Sequence, residues 1–558
     1  MIKLKTKHFT FLFLGILFFS ISCSFFMLQA LPVRNGNNPV ELNKFSNMKA
    51  SSTSFASTVN ISIANASFFG EYNGDESGYS VVKAGDVNGD GYDDFLIGTY
   101  KNDDGGWEAG KAYLFYGGES RWGLNMNCSD ANASFIGESG DYLGYGSGLA
   151  GAGDVNGDGY DDFIMGAHRN DDARDNAGKA YLFYGGESRW GLNTNCSEAN
   201  ATFLGEDASD IFGITVAGAG DVNNDGYDDL LIGAACSGNA GEAYLFYGGE
   251  SRWGLNTNSS KANASFVGEY DDYNNELYVA GAGDVNGDGY DDFLLGDGLN
   301  NDGGGNAGKA YLFYGGDSSW LMETNCSTAN ASFIGEDSKD HIGEILAAGG
   351  DVNGDGYDDF LLSSYKNEEG GSKAGQTYLF FGGVSIWSTN TNCSEANASF
   401  IGQNEKEYSG YSIAGAGDFN NDGYDDLLIG GKGDDDLNVT GRIYLLLGRS
   451  FGWEMDTSCS KANITIMGKD KSEKFGSSVA FAGDINGDGS DDILGGAPNN
   501  SDEKDSAGKT YLILGEDYSV GGSTPQLIPG YNFYLVLGFL GFSILILTQF
   551  RKTNRYLT

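Results

Sequence analysis

The chain has 558 residues, with 89 glycines, only 5 prolines, 13% aromatics and a formal net charge of −45. That charge argues against nucleic acid or anionic lipid as a partner, since both are repelled, and the composition argues against disorder and for many short strands joined by tight turns. Cations are the natural partners, and 28 of the 78 acidic residues lie in seven copies of one short string.

At the N-terminus Lys3, Lys5 and Lys7 precede an apolar run from Phe9 to Met27, with small residues at Ser22 and Ala30. Residues 1–30 read as an export signal, an uncleaved anchor being the alternative. Cys23 invites a lipid-attachment reading, against which Ser20 stands where an aliphatic residue is wanted. A flexible segment over 31–58 follows.

From 59 to 516 the chain repeats. The string DVNGDGYDD or a close variant starts at Asp86, Asp154, Asp221, Asp284, Asp351, Asp418 and Asp484, at intervals of 68, 67, 63, 67, 67 and 66 residues. Seven units of nearly constant length mark a repeat architecture. Each unit carries four apolar runs in fixed order, such as ANASFIGE, ITVAGAG, DDLLIGA and KAYLFYGG, with the acidic string between the second and third. Gly, Asn and Asp separate them and no helical period intervenes, so the runs read as strands. The fold class is therefore all-β, a seven-bladed β-propeller of four-stranded antiparallel blades, with an open seven-turn solenoid as the alternative. Small residues such as Ala217 to Gly220 and Ala280 to Gly283 suit the innermost strand. The first ANASF copy, Ala64 to Phe68, has no blade before it, and the last blade ends at Tyr511 to Leu514 without one. Asn65 to Gly70 is thus expected to supply the outer strand of the final blade and close the ring.

After a short stalk over 517–530, Tyr531 to Phe550 gives 20 largely apolar residues. At about 1.5 Å per residue these span a hydrocarbon core of roughly 30 Å as one C-terminal transmembrane helix. Arg551, Lys552 and Arg555 put the tail, 551–558, in the cytosol and the repeats outside the cell.

The repeated string carries the chemistry. Oxygen-bearing side chains fall at positions one, three, five and nine, and a glycine at position six permits a sharp turn. With the position-seven carbonyl they fill most of the shell of a hard cation, and calcium takes six to eight oxygens of these kinds. The candidate ligands at position one are Asp86, Asp154, Asp221, Asp284, Asp351, Asp418 and Asp484; at position three, Asn88, Asn156, Asn223, Asn286, Asn353, Asn420 and Asn486. Position five supplies Asp90, Asp158, Asp225, Asp288, Asp355, Asp422 and Asp488, and position nine Asp94, Asp162, Asp229, Asp292, Asp359, Asp426 and Asp492. The carbonyls belong to Tyr92, Tyr160, Tyr227, Tyr290, Tyr357, Tyr424 and Ser490. Asp93, at position eight, is expected to point away. Position nine opens a strand, unlike the loop that ends in a position-twelve glutamate and a helix. Magnesium is disfavoured because it keeps several waters. The pattern predicts Ca²⁺, up to seven ions, one per blade; a metal-free Asx-rich turn is the alternative.

These units resemble FG-GAP repeats, the blades of the integrin α-subunit propeller. The residues that carry the resemblance are Phe475 and Gly476 before the last loop, Gly496-Ala497-Pro498 after it, Phe212 and Gly213, Gly166-Ala167 and Gly233-Ala234. The resemblance implies a seven-bladed propeller with calcium in the hairpin between the first two strands of a blade. Departures are Glu276 and Leu277 in place of Phe-Gly in blade four, and Ser363 and Ser364 in place of Gly-Ala in blade five. Long leg domains and an inserted ligand-binding domain have no counterpart, so pairing with an integrin β subunit is not supported.

Strand alternation puts the calcium loops on one face and the loops that vary between blades, such as NDDGGWEAG and GEDSKDHIG, on the other. Ligand specificity or mere drift explains that variation. Paired Asn-x-Ser/Thr sequons, Asn127 with Asn132, Asn195 with Asn200 and Asn392 with Asn397, fit a glycosylated surface. Cys128, Cys196, Cys326, Cys393 and Cys459 share one repeat position, too far apart for disulfides, and read as free buried thiols. The resulting function is calcium-dependent recognition or adhesion at the cell surface, with an extracellular protein or glycan ligand. The rivals are a glycan-binding or glycan-cleaving propeller and a structural envelope component. No enzyme is expected: after export only His168 and His341 remain, and no nucleophile motif stands out.

Overall fold

A computed structural model describes residues 57–515, apart from short stretches at 120–121, 188–189, 236–239, 251–252, 270–275, 317–319 and 385–386. Among these residues the strands form seven sheets of the same design. In blade one, Ser80–Gly85 is innermost, followed outward by Asp94–Thr99, Lys111–Phe115 and Ala133–Ile136, each antiparallel to the last. The four apolar runs of each unit are these four strands.

The blades are five-stranded rather than four-stranded, which corrects the expectation. A two-residue strand from the next unit, Thr194–Asn195 in blade one, runs parallel along the fourth strand. Two residues hold no alternating pattern. Its asparagine instead caps a 3₁₀ turn, as Asn127 does for Cys128–Asp130 by accepting from the Ser129 N–H at 2.8 Å.

The core consists of seven clusters, each shared by two neighbouring blades. A blade has apolar residues on both faces and cannot bury either alone, so closure is a condition of stability. Ala66–Phe69 closes the ring by pairing antiparallel with Lys509–Ile513, Ala66 opposite Leu512. The expected closure is met, and the chain adds to it. Ser57–Asn60 lies parallel on Ile464–Met467, so the N-terminal segment serves blades six and seven together. Phe68 is fully buried, its ring 4.6 Å from Phe115 and 5.6 Å from Phe95 in blade one.

The departures in blades four and five are absorbed locally. Leu277 is fully buried, and its carbonyl accepts from Thr215 Oγ1 at 3.4 Å. Ser363 donates to the Gly410 carbonyl at 2.9 Å and Ser364 to the Asp340 carbonyl at 2.7 Å, so neither buried hydroxyl lacks a partner.

On the variable face a buried carboxyl organises the turn after the fourth strand. Asp141 accepts from the Glu138 N–H at 2.8 Å, Asn170 Nδ2 at 2.9 Å and Tyr181 Oη at 3.1 Å. Burial outweighs these donors and pushes its pKa up to about 6. A carboxyl whose pKa is raised on folding contributes stability that is full below the unfolded value near 3.8 and is lost as pH rises through about 6. Asp141→Asn is therefore expected to match the parent near pH 4 and to be more stable above pH 7, by up to about 3 kcal/mol for a two-unit shift. Thermal midpoints of both proteins across that range check the crossover.

The export signal, most of the segment 31–58, the stalk, the transmembrane helix at 531–550 and the basic tail lie outside the described residues. Among the described residues no helix is long and apolar enough to cross a membrane.

Candidate metal centre

All seven acidic strings join the innermost strand of a blade to its second strand, on one face of the ring. In the first, Asp86 folds the loop around its own carboxylate: Oδ1 accepts from the Asp90 N–H at 3.0 Å and Oδ2 from the Gly91 N–H at 2.9 Å. Gly91 takes φ +87°, in the left-handed region that glycine enters without strain. Asp90 Oδ1 accepts from the Tyr92 N–H at 3.2 Å. Asp94 opens the second strand fully buried, accepting from the Val87 N–H at 3.1 Å and the Gly117 N–H at 2.7 Å. The pattern recurs to the last loop, where Asp492 accepts from the Gly515 N–H at 2.7 Å.

The position-nine carboxyl of each loop is thus buried within electrostatic reach of the carboxylates at positions one and five. Asp94, Asp162, Asp229, Asp292, Asp359, Asp426 and Asp492 are all pushed up to about 8, first by burial and then by the charges at positions one and five. A divalent cation in the loop reverses both effects.

The donor set fits such a cation, being all oxygen and held by backbone N–H groups. As placed, no three acidic, histidine or cysteine side chains among the described residues converge on one point. Asn88 turns Nδ2 toward Asp94 Oδ2 at 3.2 Å, and Asn156, Asn223, Asn286, Asn353 and Asn486 do the same in their loops. Asn420 differs, its Oδ1 accepting from the Asp422 N–H at 3.0 Å. The two amide termini are near-isosteric, so a half-turn of the amide offers oxygen in place of nitrogen.

Position eight has a use that the spacing of the string did not reveal. Asp161 reaches into blade one, where its Oδ2 accepts from the Asp86 N–H at 2.7 Å. Asp228, Asp291, Asp358, Asp425 and Asp491 make the same bond to position one of the preceding blade at 2.8 Å, and Asp93 closes the circle onto Asp484 at 3.0 Å. Each bond is returned by the position-eight N–H, as from Asp161 to the Asp86 carbonyl at 3.3 Å. Asp93 does leave its own loop, as expected, but to clasp a neighbour. Close approach is the reason for glycine at the end of the innermost strand: a Cβ on Gly85 meets Asp161 Oδ2 at 2.2 Å. Position seven also crosses the interface. The Tyr160 ring covers Gly89, where a Cβ would stand 2.5 Å from it.

Cys128, Cys196, Cys326, Cys393 and Cys459 are free and buried at the starts of the 3₁₀ turns, and burial pushes the Cys128 thiol up to about 12. Cys236 lies outside the described residues. The sequon asparagines have structural work as well: Asn132 Oδ1 accepts from the Tyr116 N–H and Asn200 Oδ1 from the Tyr184 N–H, both at 2.9 Å. A glycan on Nδ2 leaves these acceptors in place.

The FG-GAP repeat family matches residues 77–115, 145–183, 212–246, 343–380, 409–446 and 475–513. Blade four, with Glu276 and Leu277, falls outside those segments although it folds as the others do. Among curated relatives, integrin alpha pat-2 of Caenorhabditis briggsae is 31% identical over 244 residues, 40% of this chain and 18% of that protein. Integrin alpha-5 of Xenopus laevis is 32% identical over 137 residues, 24% of this chain and 12% of its own length, and integrin alpha-V of Gallus gallus 30% over 210 residues, 37% and 18%. The matched stretch thus spans under a fifth of these relatives. The V. cholerae biofilm matrix protein Bap1 aligns over 81% of this chain and 87% of its own at 10% identity, but a TM-score of 0.21 is too slight to bear on the fold. Six matched repeats in a closed seven-bladed ring, with integrin α chains among the relatives, make the chain an FG-GAP repeat protein with an integrin-α-like propeller.

Proposed function

We propose that this protein is a calcium-binding recognition and adhesion protein of the cell surface, anchored by a helix at 531–550, that holds up to seven calcium ions and binds an extracellular protein or glycan on the face opposite the metal loops. The carrying observation is the set of seven loops in which a buried position-nine carboxyl sits beside two more carboxylates while the loop backbone orients the first. Calcium, when bound, supplies the charge that such a cluster lacks. The side chains of positions one, three, five and nine and the carbonyl of position seven hold it, and position eight passes the order of one loop to the next blade. Recognition rather than catalysis is favoured by the histidines. His168 is buried against Tyr142 and Tyr145 with its pKa pushed down to about 4, and His341 is tied to Glu344.

Elemental analysis of the purified full-length protein tests the metal, with close to seven calcium ions per chain expected and none overturning the reading. Aggregation or capture of cells bearing the protein is expected in millimolar calcium and not in chelator. Release of a cleaved glycan product would point to the enzymatic rival instead.

A further inference from the structure

On the variable face the channel along the ring axis widens into a cavity of about 490 Å³. Tyrosines from five blades, Tyr79, Tyr145, Tyr278, Tyr365 and Tyr411, line it, all half-buried. Two carboxylates stand among them, fixed by phenols: Tyr278 donates to Glu276 Oε2 and Tyr365 to Glu344 Oε2, each at 2.8 Å. From this cup aromatic rings lead outward over blades one and two. Tyr79 stacks on Tyr145 at 5.2 Å and lies 4.5 Å from Tyr100, Tyr100 lies 6.2 Å from Tyr142, and Tyr142 lies 6.1 Å from Trp107, which is 66% exposed. A tryptophan so exposed at the end of a ring series asks for a ligand that covers it.

The charges around the cup offset one another. Glu276 and Glu344 line it, while Lys432 Nζ, 3.6 Å from the centre of the Tyr411 ring, and Lys366 Nζ, 3.2 Å from Glu344, stand behind the lining, so the cup carries no excess of either sign to draw an ion. What fits is a neutral molecule with apolar C–H faces to lie on the rings and hydroxyls to donate to the carboxylates, and the volume is that of an ordinary small-ligand site. We infer that this cup and the ring series leading to Trp107 bind a neutral oligosaccharide, its end in the cup and its chain along Tyr142 and Trp107. The inference rests on the recognition reading above and names the ligand class for its face.

The test uses the full-length protein with neutral, amino-substituted and sulfated oligosaccharides and a lysine-rich peptide as probes, followed by isothermal titration calorimetry, with calcium content measured on each sample. Neutral oligosaccharides are expected to bind, and Trp107→Ala and Tyr145→Ala to weaken them about tenfold each, the loss of one stacked ring, while Trp107→Phe keeps most of the affinity. Trp107 is exposed, so its variants keep the parent melting temperature. Binding of charged probes alone, of no probe, or of neutral sugars equally by parent and alanine variants overturns the inference. Seven bound ions without sugar binding fault the cup alone, whereas sugar binding without ions faults the metal reading alone.

Discussion

Excess EGTA is expected to lower the melting temperature of the protein by about 10 °C. At free calcium about ten times its dissociation constant, each loop adds about 1.4 kcal/mol to the folded state, and seven add about 10. An unfolding entropy of about 2.1 cal/mol/K per residue over residues 57–515 amounts to about 1 kcal/mol/K, which sets the size of the shift. Without the ion, three carboxylates per loop remain crowded and the buried one keeps its pKa near 8. Ion binding at neutral pH is accordingly expected to release protons, visible as a buffer-dependent heat. An unchanged melting temperature in chelator sinks the proposal that the loops hold metal.

A chain lacking residues 57–70 is expected to yield no folded monomer. That deletion strips the fourth strand from blade seven and the fifth from blade six, exposing the backbone edge of Lys509–Ile513 for pairing with other chains. It also empties the space of Phe68, and Phe68→Ala alone is expected to cost about 3–5 kcal/mol. Deleting only 57–60 leaves blade six with four strands and is expected to be far milder. Sedimentation of the three proteins separates these outcomes, and a monomeric, cooperatively melting product from the longest deletion contradicts the account.

Four strands of every blade were legible because their apolar runs are separated by turn residues, and closure was legible because one ANASF run had no blade of its own. The fifth strand was not, since Thr194 and Asn195 carry no periodicity and their partners, Phe135 and Ile136, lie in the preceding unit. In the loops, ligand types and order could be read at positions one, three, five and nine, where oxygen chemistry repeats. Asp161 and its equivalents looked redundant there because their partner, the backbone N–H of Asp86, belongs to another blade. The cup escaped for a similar reason. Tyr79, Tyr145, Tyr278 and Tyr411 lie in segments that differ between units, and only the circular arrangement gathers them around one axis.

Gly515, the last described residue, sits on the metal-loop side, its N–H bonded to Asp492. Only 15 residues separate it from Tyr531, where the apolar stretch begins. Under the anchor proposed at 531–550, a tether leaving from that side would turn the loops toward the lipid and leave the tyrosine-lined mouth facing away from it, so that the sensing surface would be set by where the polypeptide departs.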